Sequence, residues 1–194
     1  MTYRNDTGLV SVTEVFSPYV RFDHINQDVL RAAAERGTLV HDAIADHLDG
    51  GFPVLDESVQ GYFNAAMKFM ENVDEIGIYE ERMISEVHQY TGQIDAVVRI
   101  KGDSDYTLVD WKTATILNKS YPLQLAAYHH LLKCNNYSYQ VRRTMAVRLK
   151  KDGTFKVHEV TSVAKHFAIF LNCLTAFRWF NPVKTNLKIN WENI

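Results

Sequence analysis

The sequence predicts an α/β domain with a mixed central β-sheet flanked by helices, preceded by a helical N-terminal region. Three observations point to it. Apolar residues recur at three- and four-residue steps from about Gln27 to Leu48, the period of an amphipathic helix. Two β-rich runs, "QIDAVVRI" and "YTLVDW", bracket the turn "KGDSD". A helical stretch from about Tyr121 to Lys133 then separates these runs from a later pair of strands, which permits one parallel pairing.

Taken in order, "SVTEVFSPYV" reads as a short helix capped at Ser11 or Thr13 and stopped before Pro18. The helix from Gln27 presents Leu30, Ala33, Ala34, Val40, Ile44 and Leu48 on one side and ends at Gly50-Gly51 and Pro53. A second helix is expected from about Asp56 to Asn72, with Val59, Phe63, Ala66, Met67 and Met70 inward. "RMISEVHQY" alternates loosely and makes, with the two runs above, a three-stranded antiparallel meander. Pro122 suits the first turn of the next helix. "YQVRRTMAVRLK" and "TFKVHEV" form a second hairpin across "KKDG", and a last helix runs from about Ser162 to Phe180, before Pro182. No linker or repeat divides the chain, so one domain is expected over 1–194, with a helical part at 1–75 and an α/β core at 80–180.

The 194 residues suffice to bury roughly 70% of the unfolded surface without a staple. A net charge of −2 gives no global basic field, so any polyanion site must be a local patch. Cys134 and Cys173 are too few for a disulfide framework or a four-cysteine metal site, and their apolar helical surroundings suit small buried hydrophobes. "MTYRNDTGLVSV" lacks a basic stretch followed by an apolar core, and no apolar run reaches 18 residues, so a soluble, intracellular protein is expected.

The chemistry gathers at "GQIDAVVRIKGDSDYTLVDWKT". Residues two apart in a strand share a face, so Asp110 and Lys112 point together and Trp111 points away. Asp95 lies on the preceding strand, where register could set it beside Asp110. Two adjacent carboxylates repel unless a proton or cation lies between them; Lys112 offers one charge and a divalent, oxygen-seeking cation offers two. Gly37 and His41 share a helix face, and a mid-helix glycine points to another backbone packed close by. Gln124 and Tyr128 present an amide and a phenol on one face of a later helix. Singly, each has a plainer explanation: a surface Asp–Lys pair, a core histidine beside a packing glycine, a polar helix rim.

Together, Gly37-X-X-X-His41, Gly92-X-X-Asp95, Asp110-X-Lys112 and Gln124-X-X-X-Tyr128 resemble the PD-(D/E)XK nuclease superfamily, and within it the RecB-type branch of DNA exonucleases. The resemblance covers about Ser11 to Leu132, in the family's order, and "SVTEVFSPYVRF…AERGTLVHDAI" is similar to stand-alone phage and bacterial members. The second acid is Asp110 where many members have Glu, and the four cysteines of iron–sulfur relatives and a helicase P-loop are missing. The resemblance implies a restriction-endonuclease-like core whose metal ligands are His41, Asp95, Asp110 and the Trp111 carbonyl. It implies Mg²⁺ or Mn²⁺, the imidazole making Mn²⁺ at least as suitable, and no iron–sulfur cluster. Lys112 would position or help deprotonate the attacking water, Gln124 and Tyr128 would orient Lys112 and the phosphate, and Glu86 would be a supporting acid on the first strand.

The implied reaction is phosphodiester hydrolysis in DNA, as an exonuclease or an end- or flap-processing enzyme on single strands. An endonuclease, and an inert DNA-binding module that kept the fold, remain as alternatives. Further implied are an accessory replication or recombination partner, no membrane, no nucleotide cofactor, and a cytoplasmic setting that would include a virus-encoded protein in a host cell. Arg142, Arg143, Arg148, Lys150 and Lys151 read equally as a phosphate track and as charges that discourage edge-strand pairing. Among Tyr62, Phe63, Tyr79, Tyr90 and Tyr121 some could stack on bases, though core packing accounts for most. His129 and His130 read as rim residues, and His47 should not face the ion that His41 faces.

Overall fold

The computed structural model describes residues 8–20, 25–137 and 139–182; the tail from Lys184 to Ile194 lies outside them. In chain order the elements are β1 (Val10–Ser11), α1 (Val12–Val15), α2 (Gln27–Leu48), α3 (Glu57–Met70), β2 (Val73–Ser85), β3 (Tyr90–Ile100), β4 (Tyr106–Lys112), α4 (Tyr121–Cys134), β5 (Val141–Leu149), β6 (Phe155–Glu159) and α5 (Val163–Phe180). Polar caps set the helix starts. Ser11 and Glu14 form a reciprocal capping box at 3.3 and 2.8 Å, while Asn26 and Asp56 each accept the amide two residues on, at 2.7 Å.

Among the described residues the strands form one mixed sheet between helices, as the sequence predicts, with six strands where the sequence shows five. β2, β3 and β4 are the antiparallel meander, and β5 and β6 the hairpin. The crossover through α4 makes β4 and β5 parallel, from Tyr106 beside Val141 to Lys112 beside Arg148. A second parallel pairing was not legible: β1 sets Val10 beside Tyr90 and Ser11 beside Thr91, and two residues carry no period.

The first meander strand also differs. It begins at Val73 and ends at Ser85, and Glu86 to Gln89 form a turn where the sequence predicts a strand. Two register shifts, between Val73 and Glu75 and between Ile76 and Ile78, break the alternation that would have revealed its start.

Each sheet face has its own core. One side packs Tyr90, Ile94, Leu108 and Ala146 under α1, α4 and α5, around Leu125, Leu131 and Phe170. The other packs Ala96, Val109, Trp111 and Val147 under α2 and α3, around Val40, Ile44 and Phe69. Burying Trp111 and Phe170 contributes on the order of 2–3 kcal/mol each. Among the described residues no helix is long and apolar enough to cross a membrane.

Candidate metal centre and active site

The β3–β4 ladder stops at Ala96 beside Val109, and the next rung in that register would be Asp95 beside Asp110. There the strands part. Asp95 Oδ2 accepts the Trp111 amide at 2.8 Å, in place of a ladder carbonyl. Ile94 faces the α4 core and Ala96 the α2 core, although residues two apart normally share a face, so the alternation slips at Asp95. Across the β2–β3 ladder at the same level stands Glu80, with φ 46°. A left-handed non-glycine residue costs roughly 1–2 kcal/mol, and such strain gathers where function needs it.

Two helices close the gap from opposite faces of the sheet. From α2, His41 Nδ1 lies 3.3 Å from Glu80 Oε1 and 3.6 Å from Asp95 Oδ1, and His41 Nε2 lies 3.2 Å from the Trp111 carbonyl. From α4, the Gln124 amide donates to Asp110 Oδ1 at 3.3 Å and to the Tyr128 hydroxyl at 3.0 Å. Lys112 Nζ lies 2.7 Å from Asp110 Oδ2 and donates to Gln124 Oε1 at 3.2 Å. Gly92 makes room for this arrangement, since a Cβ there would come within 2.6 Å of the Tyr128 ring. These groups line one open cavity of about 340 Å³.

The charges are unbalanced. Asp42, Glu80, Asp95 and Asp110 line the cavity with one lysine and the His41 imidazole. Burial pushes the Asp110 carboxyl up to about 6, against the pull of Lys112. Asp95 is also raised by burial, with His41 and Lys112 opposing. Burial works against the Lys112 ammonium, but Asp110 and Asp95 raise its pKa overall. Burial likewise opposes the His41 imidazolium, yet Asp95 and Glu80 lift it to about 9. Each perturbation marks a place for added positive charge.

The donor atoms of His41, Glu80 and Asp95 lie within 4.8 Å of one another, a set that small side-chain adjustments would close around a divalent ion. Asp110 Oδ2 is buried and, despite the nearby ammonium, accepts no hydrogen bond of good geometry. Two or three carboxylates and one imidazole suit a divalent, oxygen-seeking cation. The residues fit the ion.

Of the residues singled out in the sequence, Gly37, His41, Asp95, Asp110, Lys112, Gln124 and Tyr128 all line the cavity. The Trp111 indole is buried against Phe69 in the other core, while its carbonyl meets His41. Glu86 is a correction: it is exposed in the turn after β2, and the first-strand acid of the cavity is Glu80. Gln93 was also missed; it donates to Glu80 Oε2 at 2.6 Å and accepts from Arg82 at 3.0 Å. Glu80 lies level with Asp95 and Gln93 opposite Arg82, on a ladder bulged nearer its start, and the left-handed Glu80 breaks the strand period that would have revealed it. Gly37 is a second correction, because a Cβ there would only touch Thr113 Oγ1 at 3.7 Å; no backbone packs against it, and it borders the cavity mouth.

The basic residues divide. Arg142 pairs with Asp105 at 3.1 Å and Arg143 pairs with Asp103, at the end of β5 remote from Lys112, so they do not lead to the cavity. Arg148 stands beside Lys112, whereas Lys150 bonds Thr154 within its own turn at 3.1 Å. The aromatic candidates have structural partners. Tyr90 is fully buried, Tyr62 lies under Arg36, Phe63 meets His47, Tyr79 bonds Asp49, and Tyr121 meets His158. His47 thus turns away from the cavity, His129 bonds the Val141 carbonyl at 3.2 Å, and His130 stacks on Phe167.

No protein-family model matches the chain, and no curated protein matches it. Among solved structures, an alkaline exonuclease from Laribacter hongkongensis is 13% identical, with 91% of this chain and 93% of that one covered and a TM-score of 0.42. A candidate exonuclease from Eubacterium rectale is 14% identical, with 76% of this chain and 68% of that one covered and a TM-score of 0.51. With the latter the chain shares a fold, a mixed β-sheet flanked by helices.

Proposed function

We propose that this chain is a divalent-metal-dependent nuclease of the PD-(D/E)XK type that hydrolyses DNA phosphodiester bonds, acting from ends or flaps on single strands. One observation carries the proposal: Glu80, Asp95, Asp110, His41 and Lys112 converge on a single cavity where β3 and β4 part. The fold shared with a candidate exonuclease supports it. A phosphodiester is an anion attacked by water, so its site must offset charge and hold the line of attack. A bound Mg²⁺ or Mn²⁺ would supply charge to the phosphate oxygens and acidify water.

The chain's own groups do the rest. His41, Glu80 and Asp95 would hold the ion, with Asp110 and the Trp111 carbonyl next to them. Lys112, kept charged by Asp110 and Asp95, donates hydrogen bonds to the water or phosphate rather than accepting a proton. Gln124 bridges Asp110, Lys112 and Tyr128 and so fixes the ammonium's direction. Gln93 and Arg82 orient Glu80 from behind.

The test is incubation of end-labelled and covalently closed DNA with Mg²⁺, Mn²⁺ or EDTA. Stepwise loss of label with a divalent ion supports the proposal. Cutting of closed circles would assign an endonuclease instead, and no cutting with either ion would leave an inert binding module.

A further inference from the structure

The register across β4, β5 and β6 sets Lys112 beside Arg148 and Arg148 beside Lys156. Directly opposed side chains share a face, and this is the face of Asp110 and Leu108. The three cations therefore form a row that starts in the cavity and crosses to the last strand of the sheet, spanning ~10 Å at the usual strand spacing.

Like charges opposed in a sheet destabilise it. Elsewhere the fold matches such charges: Arg99 meets Asp74 and Glu75, Arg142 meets Asp105, and Arg143 meets Asp103. Among the described residues neither Arg148 nor Lys156 has a carboxylate partner. Arg148 is nonetheless fixed in place, because its Nη1 donates to the Thr115 carbonyl at 2.7 Å while its Nε finds no acceptor. His158, opposite Ala146 on the same face, also has an unpartnered Nε2, and burial followed by Lys156 and Arg148 depresses its pKa. Lys156 is exposed at the far end.

We infer that Lys112, Arg148 and Lys156 form a track for the phosphodiester backbone of the strand being cut, leading from the cavity across β5 to the β6 edge. The inference rests on the nuclease reading and gives the substrate a path. A row of three spaced cations, the two beyond Lys112 without a carboxylate partner, fits a polyanion better than a single phosphate, and it replaces the strand-wise track through Arg142 and Arg143.

The experiment measures binding of fluorescein-labelled oligo(dT) by anisotropy in Ca²⁺ over a salt series, with KM for cleavage in Mn²⁺ as a second readout. Arg148→Ala with Lys156→Glu should weaken Kd by tenfold or more and lower the slope of log Kd against log salt by about 1–1.5. Arg142→Ala should leave the slope as it is. Lys156→Glu alone, at an exposed position, should lower the slope by about 0.7 and keeps the test valid if Arg148→Ala fails to fold. A wild type that cuts DNA while these variants keep its slope and KM overturns the track alone. A wild type that neither binds nor cuts DNA with any divalent ion overturns the nuclease reading, and the track with it.

Discussion

Glu80 and Asp95 face each other at one level of the β2–β3 ladder, Glu80 in a left-handed conformation and Asp95 at the point where β3 changes face. The two irregularities coincide, and together they turn two carboxylates toward His41.

Glu80 should control the affinity for the ion. Replacing it with Gln should weaken Mn²⁺ binding by at least roughly 100-fold, the upper end of the loss seen when even the groups that orient a metal's ligands are removed. Glu86→Gln, in the exposed turn, should leave the affinity unchanged. Calorimetry in which Glu86 and not Glu80 controls affinity would return the first-strand role to Glu86.

Lys112 and Asp110 should separate binding from turnover. Lys112→Ala should lower kcat by about 10²–10³, the cost of one lost transition-state donor, with Mn²⁺ affinity largely intact. Asp110→Ala should remove turnover and weaken the ion as well. An unchanged Mn²⁺ affinity in Asp110→Ala would take Asp110 out of the metal set.

The metal-free protein should lose stability as pH rises. The folded-state values of Asp110, about 6 against 3.8, and His41, about 9 against 6.5, are both raised, so the folded chain binds the extra protons. The Asp110 contribution is full below pH 4 and fades through pH 6; the His41 contribution is full below 6.5 and fades through 9. Relative to Asp110→Asn, the wild-type Tm should fall by ~5 °C between pH 4 and 7 in EDTA. Saturating Mn²⁺ should cancel the fall. A parallel pair of Tm curves in EDTA would contradict the placement of Asp110.

Gly92 should be intolerant of a methyl group. Gly92→Ala brings a Cβ to 2.6 Å from Tyr128 and 2.9 Å from Leu131, and overpacking of this kind costs about 1–3 kcal/mol. The loss should shrink when Tyr128→Ala removes the ring, a non-additivity that a double-mutant cycle reads directly. Gly37→Ala should instead stabilise α2 by up to ~1 kcal/mol, since only ordinary contact awaits it.

Much of this was legible in the sequence. The bounds of α2, α4 and α5 followed from apolar period, Pro122 and flanking breakers, and the i,i+2 rule set Asp110 with Lys112. His41, Gln124 and Tyr128 follow from helical spacing once the strands are placed. What failed did so where regular periods end. Glu80 and Gln93 lie on a bulged pair of strands, and a two-residue β1 has no pattern to read. Arg142 and Arg143 were ambiguous because their acids, Asp105 and Asp103, approach only through the parallel β4–β5 pairing.

Trp111 joins the two sides of the sheet. Its indole wedges against Phe69 beneath the sheet, while the residues on either side of it reach up to the cavity and its own carbonyl and amide hold His41 and Asp95. A single residue thus works as a rivet through the sheet. Trimming Phe69, which does not line the cavity, would tilt that rivet and misalign the groups above without removing one of them.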